Sequence, residues 1–215
     1  MNKKILNSLE VLPFFKKTAL LTLESLTDNA LNQNLKRWVK NGLLLRLKNG
    51  LYVSKTFRDR SLNSRGYIEL IAGTLLFPSY VSLEYILQKH NLLTEATYTI
   101  TSVTTKSGRR FSNDIGTFVY HTLAKHLYFG FEKRQFGKNI YFEARPAKAL
   151  FDFLYLRLPS LHLEDLSSIE ELRINWDLLS LESFHELGEI VKKSGIKKMA
   201  KIFILITKEL YGHVN

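Results

Sequence analysis

Between Thr27 and Val53 the chain sets amides and cations at helical spacing, with Asp28 at the start as the lone carboxylate. Asn29, Gln33, Lys36, Arg37 and Lys40 fall opposite Leu31, Leu35, Trp38 and Val39, and Asn32 lies on the flank. Those apolar residues recur at i, i+4, i+7 and i+8, one face of an amphipathic helix. Asn and Gln can bond an adenine edge through two hydrogen bonds, Arg can bond guanine likewise, and Lys and Arg neutralise phosphates. A helix lying in a major groove reads bases with its N-terminal residues. Asn29, Asn32 and Gln33 are therefore expected to read bases, and Lys36, Arg37 and Lys40 to hold phosphates. A plain solvated face is the competing reading. The adjoining segment tips the balance: Leu43–Leu47 and Leu51–Val53 are short apolar runs joined by Lys48-Asn49-Gly50, a hairpin signal with Arg46, Lys48 and Asn49 near its tip.

A second basic cluster, Lys106, Arg109 and Arg110 around Gly108, comes after a β-branched run. It suits DNA backbone phosphates, an RNA, or simply an exposed hairpin loop. Other chemistry finds little support. His121 and His126 are five apart and have no carboxylate at ligand spacing, the chain has no cysteine, and no glycine-rich phosphate loop occurs. No metal, no cofactor and no catalytic residue is expected. Glu143 and Asp114 read as surface carboxylates, while Lys148 and Asp152, four apart on a helix, are expected to pair with each other.

The elements that must position these residues are legible in outline. Thr27 caps the third of three short helices, after Lys4–Leu12 and Thr18–Leu23, and Gly42 ends it. Helices then hairpin, in about 55 residues, are the layout of a winged helix-turn-helix, and so small a unit is expected to lean on the rest of the chain. Residues 54–65 are polar and aperiodic and read as a linker. Helices are expected over Tyr67–Phe77 and Ser82–Leu92. Strands are expected over Tyr98–Thr105, Thr117–Leu123, Leu127–Phe136 and Ile140–Phe142, forming a small, mostly antiparallel sheet. Pro146 opens a helix running through Leu158. Helices separated by Gly195 fill the C-terminal region, where Ile202–Ile206 reads as buried helix or strand, with helix favoured by the lysines and glutamate around it. The expected fold is α+β, with a DNA-binding domain over 1–56 and a second domain over 66–215.

Charge supports the division. The 215 residues carry a formal charge of +11, and residues 1–60 hold 12 Lys and Arg against 4 Asp and Glu. Clustered positive charge points to nucleic acid, because each neutralised phosphate releases counterions. Further on, Asp165, Glu170, Glu171, Glu182, Glu186 and Glu189 form an acidic face that is either a decoy for a basic partner surface or pairs with the lysines of 192–201. No apolar run is long enough to span a bilayer, and Met1-Asn2-Lys3-Lys4 does not lead into a signal-peptide core, so a soluble, cytoplasmic protein without membrane attachment is expected.

Four segments, in order, resemble the AbiEi antitoxins: Trp38 to Val53; Pro78-Ser79-Tyr80-Val81-Ser82-Leu83-Glu84; the strand from Tyr98 to Lys106 with Arg110-Phe111; and Ala144-Arg145-Pro146-Ala147-Lys148-Ala149-Leu150-Phe151-Asp152. The last matches that family's Ala-x-Pro-Glu-Lys-Ala-Leu-x-Asp segment, with Ala147 in place of Glu. The resemblance runs from about Leu20 to Leu156. It implies a winged helix that binds inverted repeats in double-stranded operator DNA and represses its own operon. It further implies a C-terminal domain that counters a co-encoded nucleotidyltransferase-like toxin, in a type IV toxin–antitoxin system serving abortive infection and phage defence. Two alternatives differ in class: a winged-helix transcription regulator with a ligand-sensing or dimerising C-terminal domain, and a nucleic-acid-processing enzyme docked by its winged helix.

Overall fold

A computed structural model describes residues 3–23, 27–95, 98–161 and 170–211. Its first unit runs α1 (Lys3–Leu9), β1 (Phe15–Lys16), α2 (Lys17–Leu23), α3 (Asp28–Lys40), β2 (Leu44–Lys48) and β3 (Leu51–Ser54). The Thr27 hydroxyl accepts the Ala30 amide at 3.3 Å, and Asn41–Gly42 ends α3, Gly42 lying at φ +68° where a side chain would be strained. Leu31, Leu35 and Trp38 are buried against Leu6, Leu9, Phe15, Leu20 and Leu44. The β2–β3 hairpin forms as expected, with a shift of register between Arg46 and Lys48. β1, which the sequence did not announce, adds to β3 as a third antiparallel strand through Phe15 and Tyr52.

The expected linker is in part a helix. Ser54 accepts the Phe57 amide at 3.0 Å and starts α4 (Lys55–Ser61), whose Phe57 is buried. Lys55, Thr56, Asp59 and Arg60 are exposed, and one buried aromatic ring is too weak a periodic signal to reveal the helix. Phe57 also joins Leu47, Leu51 and Val53 to the larger hydrophobic core, so the hairpin contributes to both cores.

That larger core surrounds a mixed six-stranded sheet in the order β6-β7-β5-β4-β9-β8, and the fold is α+β. Its members are β4 (Ser79–Val81), β5 (Thr99–Thr104), β6 (Arg109–Asn113), β7 (Gly116–Thr122), β8 (Phe131–Phe136) and β9 (Asn139–Ala144). β5 runs parallel to β7 and β4 parallel to β9, whereas the β6–β7, β4–β5 and β8–β9 pairs are antiparallel. β4 is short and buried along its length, which removes the alternation that marks a strand. Helices α5 (Tyr67–Leu75), α6 (Glu84–Lys89) and α7 (Pro146–Arg157) pack on this sheet. α8 (Leu181–Ser194) lies against α7, and α9 (Lys197–Tyr211) comes after α8 and Gly195.

α7 is held by a buried ion pair. Lys148 and Asp152 are both fully buried, with Nζ to Oδ1 at 2.7 Å. The ammonium also donates to the Leu127 carbonyl at 2.9 Å, and the other carboxylate oxygen accepts from Tyr80 and Ser82 of the β4 segment, each at 2.8 Å. The rings of Phe151 and Phe129 lie 4.7 and 5.1 Å from the ammonium. Gly130, at φ +76°, lets the preceding loop close over the lysine, since a Cβ there would meet Lys148 Cδ at 3.1 Å. Burial pushes the Asp152 carboxyl up and the Lys148 ammonium down.

Removing one partner leaves the other charge buried and unpaired. Lys148→Met is expected to lower stability by about 3–5 kcal/mol, whereas Lys148→Met with Asp152→Leu should recover much of that loss. Urea unfolding of the two variants measures it, and an unchanged midpoint for Lys148→Met would exclude the pair as the tie on α7.

Candidate nucleic-acid interface

The first unit gathers part of the expected constellation. Asn29, Gln33, Lys36, Arg37 and Lys40 are exposed along α3. Lys36, Lys40 and Arg46 converge on a groove of about 250 Å³ between α3 and the hairpin, floored by Leu35, Val39 and Tyr52. Three local bonds restrain this face. Asn32 donates to Asp28 at 3.0 Å, Arg37 to Asn34 at 2.8 Å, and Arg46 to Asn49 at 3.3 Å. Asn32 is only partly exposed and is engaged at the helix start, so its amide is less available than those of Asn29 and Gln33. Lys17 reaches the same start and pairs with Asp28 at 2.7 Å. That contact and hydrogen bonding hold the Asp28 carboxyl below the usual range.

Lys48 differs from expectation. Its ammonium does not extend from the hairpin tip into solvent. It donates to the Leu75 carbonyl at 2.6 Å, with the Thr74 carbonyl at 3.5 Å, at the C-terminal end of α5. Unpaired carbonyls and the negative end of the helix dipole make that position favourable for a cation. The contact bridges 27 residues of sequence, so no local pattern announces it. Burial first, then the charges of Lys16, Arg109 and Lys106, push the ammonium below its usual range.

The second basic cluster is divided. Lys106 and Arg109 join Lys16, Lys17 and Lys48 around a cleft between the hairpin, the end of α5 and the outer strand β6. Arg110 does not line it, because consecutive residues of a strand point to opposite faces. The exposed-loop reading holds for Lys106, in the bend before β6, and is corrected for Arg109 and Arg110, which are exposed but paired in β6 opposite Tyr120 and Val119. Asn113 at the far end of β6 donates to the Leu47 carbonyl at 3.0 Å and fixes the strand to the hairpin. Lys16 and Lys17 were missed by sequence reasoning; the adjacent pair is a visible charge signal, but its neighbours come from distant segments.

Several charged groups outside the two basic clusters have structural partners. Asp114 is exposed as expected, but Glu143 is buried, not a surface carboxylate. Lys89 bridges Glu143 at 2.6 Å and Glu69 at 2.9 Å, carboxylates brought together from β9 and α5. Burial lowers the Lys89 pKa, but the bonds to Glu143 and Glu69 outweigh it and leave it raised. In the acidic stretch, Glu186 pairs with Arg145 at 2.5 Å. Among the described residues no ion pair joins these acids to the lysines of 192–201; Lys193 instead lies 4.2 Å above the Phe129 ring, and Lys198 bonds the Leu158 carbonyl at the end of α7. Asp165 lies outside the described residues. Among the described residues no cluster of three metal-ligating side chains occurs, and no helix is long and apolar enough to cross a membrane.

Compared with family models, curated proteins and solved structures, the chain matches none.

The role found for Lys48 has a measurable consequence. Lys48→Met removes a charged donor from the α5 carbonyls and should destabilise the protein by about 1.5–3 kcal/mol. Lys36→Ala, at an exposed position of α3, should stay within about 0.5 kcal/mol of wild type. Thermal unfolding of both separates a structural Lys48 from a solvent-facing one, since equal small losses would place its ammonium in water.

Proposed function

We propose that the chain is a non-enzymatic, operator-binding antitoxin of the cytoplasm. Residues 1–56 act as a winged helix-turn-helix on inverted repeats in its own promoter, and residues 66–215 counteract a co-encoded nucleotidyltransferase-like toxin. The observation that carries the DNA-binding half is the convergence of Lys36, Lys40 and Arg46 on one groove beside the exposed amides of Asn29 and Gln33. Cations position a duplex through its phosphates, and amides at the start of the helix select bases. The order of three helices and a hairpin agrees with that use. The antitoxin half rests on the four segments that resemble AbiEi antitoxins. One of them, Ala144 to Asp152, supplies the buried pair that anchors α7.

The two kinds of contact separate by mutation. Gln33→Ala should weaken binding to the operator by about 1–3 kcal/mol and leave affinity for scrambled DNA in place. Lys36→Ala should weaken both and reduce the log–log salt slope by about 0.9. Titrating both variants against the two duplexes at several salt concentrations checks this; a Gln33→Ala specificity ratio equal to that of wild type moves base reading to other residues. For the antitoxin half, the adjacent gene is expected to encode a nucleotidyltransferase-like toxin whose growth arrest this chain relieves, with Gln33→Ala relieving it equally. An adjacent toxin whose arrest continues in the presence of the full chain would reject that half.

A further inference from the structure

The cleft between the hairpin and β6 goes beyond the operator-reading face. It has a volume of about 840 Å³, within the range of ligand pockets, and no Asp or Glu lines it. Of its cations, Lys17 is balanced by Asp28. Among the described residues, Lys16, Lys48, Lys106 and Arg109 take part in no ion pair. They come from β1, the hairpin, the bend between β5 and β6, and the start of β6, and the charges of Lys16, Lys106 and Arg109 repel that of Lys48. Lys48 is held in place by the α5 carbonyls, so its charge faces the cleft at a set position without a competing carboxylate.

The apolar lining is equally specific. Phe77, just past the end of α5, is 67% exposed and lines the cleft, an unusual state for a phenylalanine, and the half-buried Phe111 of β6 lines it as well. Cations that neutralise phosphate beside an exposed aromatic ring match a nucleotide, because every base has a face that stacks.

The geometry points to a nucleotide-binding cleft in which Lys16, Lys48, Lys106 and Arg109 hold phosphate groups and Phe77 stacks against the base. The nucleotide comes either from a free nucleoside triphosphate or from a nucleic-acid strand, and both present the same chemistry. The site is separate from the α3 groove and is assembled only when the first unit is seated on the sheet.

Isothermal titration of the full chain with ATP and with inorganic tripolyphosphate tests this. A free-nucleotide site predicts saturation at one ligand per chain, at least tenfold weaker binding in Lys106→Ala/Arg109→Ala, and no change in Lys36→Ala/Lys40→Ala. Phe77→Ala should weaken ATP more than tripolyphosphate. If neither ligand saturates but Lys106→Ala/Arg109→Ala lowers the salt slope of DNA binding by about 1.8, the phosphates belong to a nucleic-acid strand. Absence of saturation together with an unchanged slope overturns the proposal. Should the alanine pair fail to fold, Lys106→Gln/Arg109→Gln takes its place, and wild-type thermal stabilisation by tripolyphosphate over chloride of equal ionic strength gives a readout without mutation.

Discussion

The Lys148–Asp152 pair is the constraint on which the arrangement of the larger unit depends. Two charges removed from water bring little net stability, because their attraction must first offset a large desolvation cost. Their effect is on geometry. Each polar atom of the pair has a partner, and those partners come from α7, the β4 segment and the loop before β8. Any other register of α7 on the sheet would strand a buried charge. The aromatic rings around the ammonium exclude water, which makes the requirement for these partners stricter.

From this tie the structure can be traced outward. β4 is fixed between β5 and β9, and α5 packs across β9 and β4. Tyr120 of β7 donates to the Ala72 carbonyl of α5 at 2.6 Å, so the helix end is held from the sheet. That end receives Lys48, and Asn113 holds Leu47 of the same hairpin. Tyr67 reaches back to the Pro13 carbonyl at 3.1 Å. The hairpin is therefore clamped by the sheet from one side and by its own helices from the other. The angle between α3 and the hairpin, which shapes the groove of Lys36, Lys40 and Arg46, is set by both units together.

This coupling gives the charge distribution its meaning. Most of the excess positive charge lies in the first sixty residues, yet one of the two basic concavities is completed by Arg109 of β6 and by Lys106 in the bend before it. A phosphate in that cleft would relieve repulsion among cations from both units. The α3 groove and the cleft share the hairpin as a wall, so a ligand in one acts on the same element that frames the other.

Local chemistry made several elements readable in the sequence itself. Thr27, the leucine seam and Gly42 delimit α3, because a cap, a 3.6-residue period and a left-handed terminus are all local requirements. The hairpin at Lys48-Asn49-Gly50, the β-branched β5, Pro146 at the start of α7 and the i, i+4 spacing of Lys148 and Asp152 were legible for the same reason. Tertiary structure decided the rest. β1 and β4 are too short or too uniformly buried to show alternation, and α4 presents one buried ring among polar residues. The burial of Glu143 depends on Lys89 and Glu69 arriving from two helices. Lys48 looks like a free cation at a hairpin tip until the end of α5 is placed beneath it. Spacing along the chain determines which face a side chain occupies; which distant carbonyl, carboxylate or cation meets it there is a property of the packed fold alone.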